Sequence, residues 1–251
     1  MITKDTLVYR VIAASGLKLI AGAEWLISKN SPNHAFFDTE SFPWTKTLEN
    51  NYRPIQNELR SLLESTRIPD FTRLSEEQKR LVPANKWKTF MFCLYRQYVD
   101  ENCRICPMTS LAIRNIPGMT AAFFSILEPE THIGRHRGPY KGVLRCHLAL
   151  VVPPDETSCG IEVNGEVYHW KEGKTVIFDD SFEHEAWNAS DQLRVVLFID
   201  FERPLPVWLV PMNKFMLWLI SISPLVRNIL TNVEQYEKYN RPPDSSVQQL
   251  S

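Results

Sequence analysis

Between Pro117-Gly118 and Pro204 the chain is a succession of short apolar segments separated by turn residues, with no helical stretch between any two of them. That one property narrows the possible folds more than any other. Parallel βαβ units need a crossover helix between strands, so they are excluded. Strands are predicted over Met119–Leu127, Val143–Val152, Cys159–Val163, Glu166–Trp170, Lys174–Phe178, His184–Trp187 and Leu193–Phe201. Asn164-Gly165 is a strong two-residue hairpin signal, because both central positions of its turn require positive φ. Glu172-Gly173 marks a second turn. Seven short strands at this spacing point to a sandwich, barrel or jelly roll. The predicted class is mainly β with flanking helices.

The flanks have a different character. Leu48, Tyr52, Ile55, Leu59 and Leu62 recur at helical spacing, and Pro54 requires that helix to kink or begin nearby. Ser75–Arg80 reads as a short solvated helix, Trp87–Tyr95 as strand-forming, and Pro107 as the start of a helix. Residues 6–27 are apolar, but Arg10 and Lys18 interrupt the run, so an amphipathic helix is expected rather than a signal peptide. That helix either docks on the domain or rests on a membrane. Phe215–Ile220 is apolar all round, and the uncharged piece Phe215–Val226 is shorter than the ~20 residues of a spanning helix. It suits either an interfacial segment or one covered by packing. The expected organisation is 1–30 amphipathic helix, 31–116 helical and mixed region, 117–204 β core, 205–240 apolar helix and 241–251 disordered tail.

The net charge of −1 argues against nucleic-acid binding as a property of the whole molecule. Five cysteines at irregular spacings read as reduced structural thiols, not a disulfide framework. A cytoplasmic location follows, with or without peripheral contact at the cytoplasmic face of the inner membrane.

Five of the six histidines fall between positions 132 and 184, which places the chemistry in the β region. His136 lies in a glycine- and proline-containing stretch before a strand, and His184 opens a strand after a turn. Ligand loops converge at such positions in a barrel. Paired imidazoles suit iron, copper, nickel or zinc. Arg145 and His147 are two apart in a predicted strand and so share a face. If that face is interior, Arg145, with Arg194 on the last strand, needs an anion. The set implies a small anionic chelator beside a metal; structural salt bridges are the alternative.

Several ordered motifs carry a family resemblance. They are Ser125; His136-Arg137-Gly138-Pro139; Leu144-Arg145-Cys146-His147; Trp170-Lys171-Glu172-Gly173; Asp179-Asp180-Ser181-Phe182-Glu183-His184; and Arg194-Val195-Val196. This block resembles the aspartyl/asparaginyl β-hydroxylases, oxygenases on a double-stranded β-helix that include lipid A acyl 2-hydroxylases. The resemblance implies iron(II), 2-oxoglutarate as cosubstrate and dioxygen (O2). It further implies His136 and His184 as metal ligands. Ser125, Arg145, His147 and Arg194 would hold 2-oxoglutarate, with Asp180 beside the metal. Many oxygenases of this kind have a carboxylate ligand two residues after the first histidine. Here Gly138 takes that place, as it does in this family, where two protein ligands can suffice. A lipid A fatty acyl chain, hydroxylated at its 2-position, is the favoured substrate; aspartyl or asparaginyl residues or a free amino acid are the alternative. A non-catalytic cupin-like module that binds a carboxylate is the reading from a different class.

Overall fold

The computed structural model describes residues 7–65, 68–155 and 157–240. The tail expected to be disordered, 241–251, lies outside them. Helix α1 (Leu7–Asn30) is followed by strand β1 (Phe36–Phe37) and helices α2 (Trp44–Asn50), α3 (Tyr52–Ser65) and α4 (Phe71–Leu74). Strands β2 (Trp87–Leu94) and β3 (Gln97–Tyr98) precede helices α5 (Asp100–Ile105) and α6 (Pro107–Arg114). The central run is β4 (Met119–Leu127), β5 (Thr131–His136), β6 (Val143–Val151), β7 (Cys159–Val163) and β8 (Glu166–Tyr168). It continues through β9 (Thr175–Phe178), β10 (His184–Asn188) and β11 (Arg194–Glu202) to helices α7 (Val210–Ser221) and α8 (Pro224–Asn240).

The strands form two antiparallel sheets, one ordered β1-β9-β6-β11-β4-β2-β3 and the other β5-β10-β7-β8. From β4 to β11 the chain changes sheet at every connection except the β7–β8 hairpin. This is the winding of a double-stranded β-helix, as the resemblance implies. The hairpin turns at Asn164-Gly165, both with positive φ, as its sequence requires.

Two differences from the sequence reading matter. The sheet begins well before position 117: β1 pairs with β9, and β2 pairs with β4 along almost its whole length. The stretch before the strand at 143 is itself a strand, β5, with His136 as its last residue. Its glycine and charges hid it, because neither is typical of a strand.

Every residue of β4 is buried, since the large sheet is covered on both faces. On the outside, Leu48, Ile55, Leu59 and Leu62 of α2 and α3 pack with Phe92, Phe124, Leu148 and Leu197. Helix α2 ends before Asn51, and Pro54 falls in the first turn of α3, where its missing N–H costs nothing. On the inside, Phe123, Phe178, Val196 and Phe198 meet Ile133, Ile161, Val163 and Ala186 of the small sheet. All five cysteines are free and buried. Burial pushes Cys93 and Cys106 up to about 12, so both stay protonated and unreactive.

One buried ion cluster pins the loop before β10. Asp179 is fully buried against Arg203 and Lys141 Nζ, the latter at 2.8 Å, and it accepts a hydrogen bond from Ser181 N at 3.0 Å. Burial alone would raise its pKa, but Arg203, Lys141 and Ser181 outweigh that and hold it low. Its contribution is therefore present above the usual carboxylate range and fades as pH falls through the lowered value. Asp179→Asn is expected to cost about 3–5 kcal/mol in denaturant unfolding, because it leaves two buried cations without an anion. A loss below about 1 kcal/mol would mean that the cluster contributes no more than a surface pair.

Candidate active site

The four central strands of the large sheet turn alternate residues into the space between the sheets. Strand β6 contributes Arg145 and His147, β11 contributes Arg194, Phe198 and Asp200, and β4 contributes Ser125. Register fixes their neighbours: Arg145 faces Asp200 and Phe178, His147 faces Phe198 and Val176, and Val196 faces Ser125. The shared face inferred for Arg145 and His147 is the interior one.

Arg194 is 2% exposed. Its guanidinium lies 4.5 Å from the centroid of the Trp170 ring, its Nε has no hydrogen-bond partner, and no acid pairs with it among the described residues. Burial lowers its pKa to about 10. Both ring nitrogens of His147 and the indole N–H of Trp170 also lack partners. His147 packs among Trp170, Phe178 and Phe198 at centroid distances of 6.0, 5.0 and 5.2 Å. Burial first, then Arg194 and Arg145, drive its pKa well below the ordinary value, so it is neutral. Unsatisfied polar groups are rare in protein interiors. A guanidinium, an imidazole and an indole packed together in the interior with polar atoms unpartnered are a donor set suited to an anion. Ser125 adds a hydroxyl, which already accepts from Trp87 Nε1 at 2.9 Å.

His136 and His184 are register partners at the same end of the small sheet, with ring centroids 4.2 Å apart. The pairing of β10 with β5 is irregular: His184 faces His136, but Ala186 faces Ile133. One extra residue on β5 makes a bulge there. Strict alternation from the inward Ile133 would turn His136 outward; the bulge turns it in. Gly134 lies at this irregularity and donates its N–H to Leu81 O at 2.9 Å, outside the ladder.

The nitrogens are well defined chemically. Nδ1 of His136 is 2.8 Å from Gly134 O, and Nδ1 of His184 is 3.0 Å from Phe182 O. A carbonyl only accepts, so each Nδ1 carries the proton and each Nε2 keeps its lone pair. Burial, then Arg145, lowers the His136 pKa. Burial, then Arg145 and His136, brings His184 to about 3. Two neutral imidazoles with their Nδ1 atoms oriented by backbone are what a divalent transition metal requires. No third His, Cys, Asp or Glu joins them among the described residues.

Arg145 and Asp180 are joined in the same interior. Arg145 holds Asp200 in a bidentate pair, Nε to Oδ1 at 2.8 Å and Nη2 to Oδ2 at 3.1 Å, and Nη2 also lies 2.7 Å from Asp180 Oδ2. One cation thus serves two acids. Asp180 is fully buried with no hydrogen bond to either oxygen. Burial, with Asp200 and Asp179 nearby, pushes its pKa up to about 7 despite Arg145. Its carboxylate fills the space into which any side chain at position 138 would project. Gly138 N also donates to Asp180 O at 2.6 Å. The glycine is therefore enforced by Asp180.

His132 faces outward and meets Glu185 at 2.8 Å, beside Arg135 and Glu162, apart from the cavity. Asp200, Trp170, Phe178 and Tyr95 were not singled out as site residues in the sequence. Asp200 could have been found from strand parity once β6 and β11 were paired. Tyr95 gave no signal: it sits in the β2–β3 turn at φ +45°. Burial, then Asp200 and Asp180, raises its phenol, which places it against the acid pair. Beyond Tyr95 a groove of about 260 Å³ runs to the surface between Thr120, Lys214, Leu217 and Trp218. A larger cleft of about 680 Å³, bounded by Leu63, Lys88, Glu128 and Tyr236, contains none of these site residues.

The family model described as aspartyl/asparaginyl beta-hydroxylase matches residues 49–204. The chain is 40% identical over 225 residues to an ornithine lipid ester-linked acyl 2-hydroxylase of Rhizobium tropici, covering 88% of this chain and 80% of that protein. It is 30% identical over 167 residues to the aspartyl/asparaginyl beta-hydroxylase of Homo sapiens, covering 63% of this chain and 21% of that one. Aspartate beta-hydroxylase domain-containing protein 2 of Mus musculus is 36% identical over 169 residues, or 62% of this chain and 47% of that one. Among solved structures, a Cupin 2 conserved barrel domain protein from Salinispora arenicola aligns with 54% of this chain and 88% of its own at 10% identity and a TM-score of 0.32.

Proposed function

This chain belongs to the aspartyl/asparaginyl β-hydroxylase family, and on that footing we propose that it is an iron(II)- and 2-oxoglutarate-dependent dioxygenase acting on a lipid acyl chain. The observation that carries the cofactor reading is Arg194, a fully buried cation with no acid paired to it among the described residues, in the same interior as His147, whose ring nitrogens also lack partners; Phe178 touches both His147 and His184 there. Bound iron would supply activation of dioxygen: 2-oxoglutarate, O2 and R–H become succinate, CO2 and R–OH, with one oxygen atom in each of the first and last products.

The protein's own residues would bind, orient and exclude. His136 and His184 offer Nε2 lone pairs to the metal. Arg194 and Ser125 would take one carboxylate of the cosubstrate. Arg145 and His147 would take the other, nearer the histidines, since Arg145 bears on both of them. Asp180 would keep Arg145 in place and leave the third protein position open. Phe178, Phe198 and Trp170 pack around His147 and would keep bulk water from the reacting carbon.

The substrate reading rests on the R. tropici relative, whose match spans most of both chains. The groove at Tyr95 supports it, because Leu217 and Trp218 give it apolar walls, with Lys214 and the ion pair of Arg96 and Glu202 also lining it. The 2-position of the acyl chain is the proposed carbon. The test is incubation with ferrous iron, ascorbate, 2-oxoglutarate and either an ornithine lipid or Asp/Asn-containing peptides. Mass spectrometry should find one added oxygen on the lipid, located by fragmentation at carbon 2, with equimolar succinate. His136→Ala should abolish both. Oxygen on a peptide alone moves the assignment to the peptidyl reading. Binding of 2-oxoglutarate without turnover, unchanged in His136→Ala, would make the protein a carboxylate-binding module.

A further inference from the structure

Helices α1 and α7 close over one corner of the barrel, and the contacts holding them there are specific. Ala23, Ile27, Tyr140, Val143, Met216 and Leu217 form a small core of their own. Glu24 of α1 binds Arg137 at 3.0 and 3.1 Å and accepts from Lys141 N at 3.0 Å. Asn213 of α7 donates to Gly142 O at 3.0 Å. The three hydrogen-bonded residues, Arg137, Lys141 and Gly142, all lie on the loop that leaves the metal-binding candidate His136. The two helices are therefore fixed to the rim of the site.

Their outward sides are apolar as well. On α7 and just beyond it, Phe215, Trp218, Ile222 and Leu225 follow one another at helical spacing on the exposed side, opposite the buried Met216 and Leu217. Trp208 is 60% exposed and Val207 88% exposed immediately before α7, and Leu17 and Trp25 are exposed on α1. Large apolar side chains gathered on one exposed side mark an interaction surface. The charge pattern says what fits it. No acidic residue occurs from Leu205 to Val233, while Lys214 and Arg227 interrupt that stretch and Lys18 lies on α1. Tryptophans among basic side chains match the boundary of an anionic bilayer. No single helix among the described residues is long and apolar enough to cross a membrane; residues 207–221 and 224–239 reach that length and composition only together, as a pair bent by 53°. A segment that lies along the surface agrees with both facts.

We propose that the outward face of α1, residues 207–208, α7 and the first turn of α8 docks on an anionic lipid bilayer and sets the rim of the site against the membrane surface. The groove behind Tyr95, whose outer end is lined by Trp218 and Lys214 of α7, then opens at the headgroup level. Docking stands apart from the hydroxylase reading, because it needs no turnover to be seen.

Removing residues 205–251 would not test this, since Leu209, Met216, Leu217, Val226 and Val233 are buried and the fold would suffer. Surface substitutions avoid that. The full chain is to be floated with vesicles of phosphatidylcholine alone and of phosphatidylcholine mixed with phosphatidylglycerol, at low and high salt. The wild type should float with the anionic vesicles, less so at high salt. Trp25→Ser/Trp208→Ser/Phe215→Ser should lower the bound fraction at least about tenfold, and Lys18→Glu/Arg227→Glu should remove the preference for the anionic lipid. Both variants should keep the wild-type melting temperature and 2-oxoglutarate affinity. Failure of the wild type to bind either vesicle overturns the proposal, as does equal binding by the triple variant. Dimerisation of the wild type that the triple variant abolishes, without vesicle binding, would assign the face to a second copy. If vesicle binding behaves as expected while no lipid is hydroxylated, the proposed reaction fails and the docking surface stands.

Discussion

Arg194→Met is expected to make the metal-free protein more stable and the enzyme much worse. Arg194 is fully buried, stacks on Trp170 and has no acid beside it among the described residues. Its desolvation is uncompensated until an anion arrives. Replacing such a cation by an apolar side chain of similar length should stabilise the fold by about 1–4 kcal/mol, as when buried charges are exchanged for well-packed apolar groups. The same change leaves a carboxylate of the cosubstrate facing methionine. Loss of one partner of a buried, hydrogen-bonded charge pair costs about 2–5 kcal/mol, or roughly 30- to 5000-fold in affinity. Thermal melts and 2-oxoglutarate titration read the two effects separately. The opposite signs are the test. A structural arginine would lower stability when lost, and an idle one would leave cosubstrate binding alone.

Gly138→Asp is the second large effect, and it is expected to fail in an instructive way. A carboxylate at this position would complete a two-histidine, one-carboxylate triad, so on residue types alone the change should tighten iron binding. The structure predicts otherwise, because the Asp180 carboxylate already fills that space. A new side chain must displace Asp180, and with it the ion pair to Arg145. Overpacking of this kind costs about 1–3 kcal/mol, and a second buried acid adds to it. The expected outcome is a lower melting temperature, weaker 2-oxoglutarate binding and no gain in iron affinity. Tighter iron binding at unchanged stability would show that Asp180 moves aside easily. Gly138→Asp combined with Asp180→Ala separates space from charge: it should recover stability before it recovers turnover.

Much of this was legible in the sequence, and the reasons differ by element. A short apolar run bounded by turn residues is a strictly local signal, so β4, β6, β7 and β11 fall within a residue of their expected limits, and Arg145 and His147, two apart, share the interior face. What sequence could not supply was pairing. The two-residue strand β1 and the earlier strand β2 join the large sheet through partners more than twenty residues away, and nothing in their own residues marks it. The strand β5 was hidden for another reason. Its bulge breaks the alternation that identifies a strand, and the bulge is what directs His136 inward. The ion pairing of Arg145 was equally out of reach. Parity placed it inside and suggested an anion, but Asp200 and Asp180 approach it from two other segments. The apolar C-terminal region was recognised by composition. Its division into two helices with one packed side and one bare side needed the structure.

The two imidazoles are alike in a way that bears on entropy. Each ring is tied through Nδ1 to the carbonyl two residues before it in its own chain, Gly134 for His136 and Phe182 for His184. The tether is local, so ring rotation is already spent when the backbone folds. A metal arriving at these nitrogens orders no side chain, a saving of about 0.5–1.5 kcal/mol for each ring that would otherwise have to be immobilised. A centre with only two protein ligands gains proportionally more from such preorganisation than one with three. On the proposed reading, the same tether would let iron load and leave without backbone rearrangement.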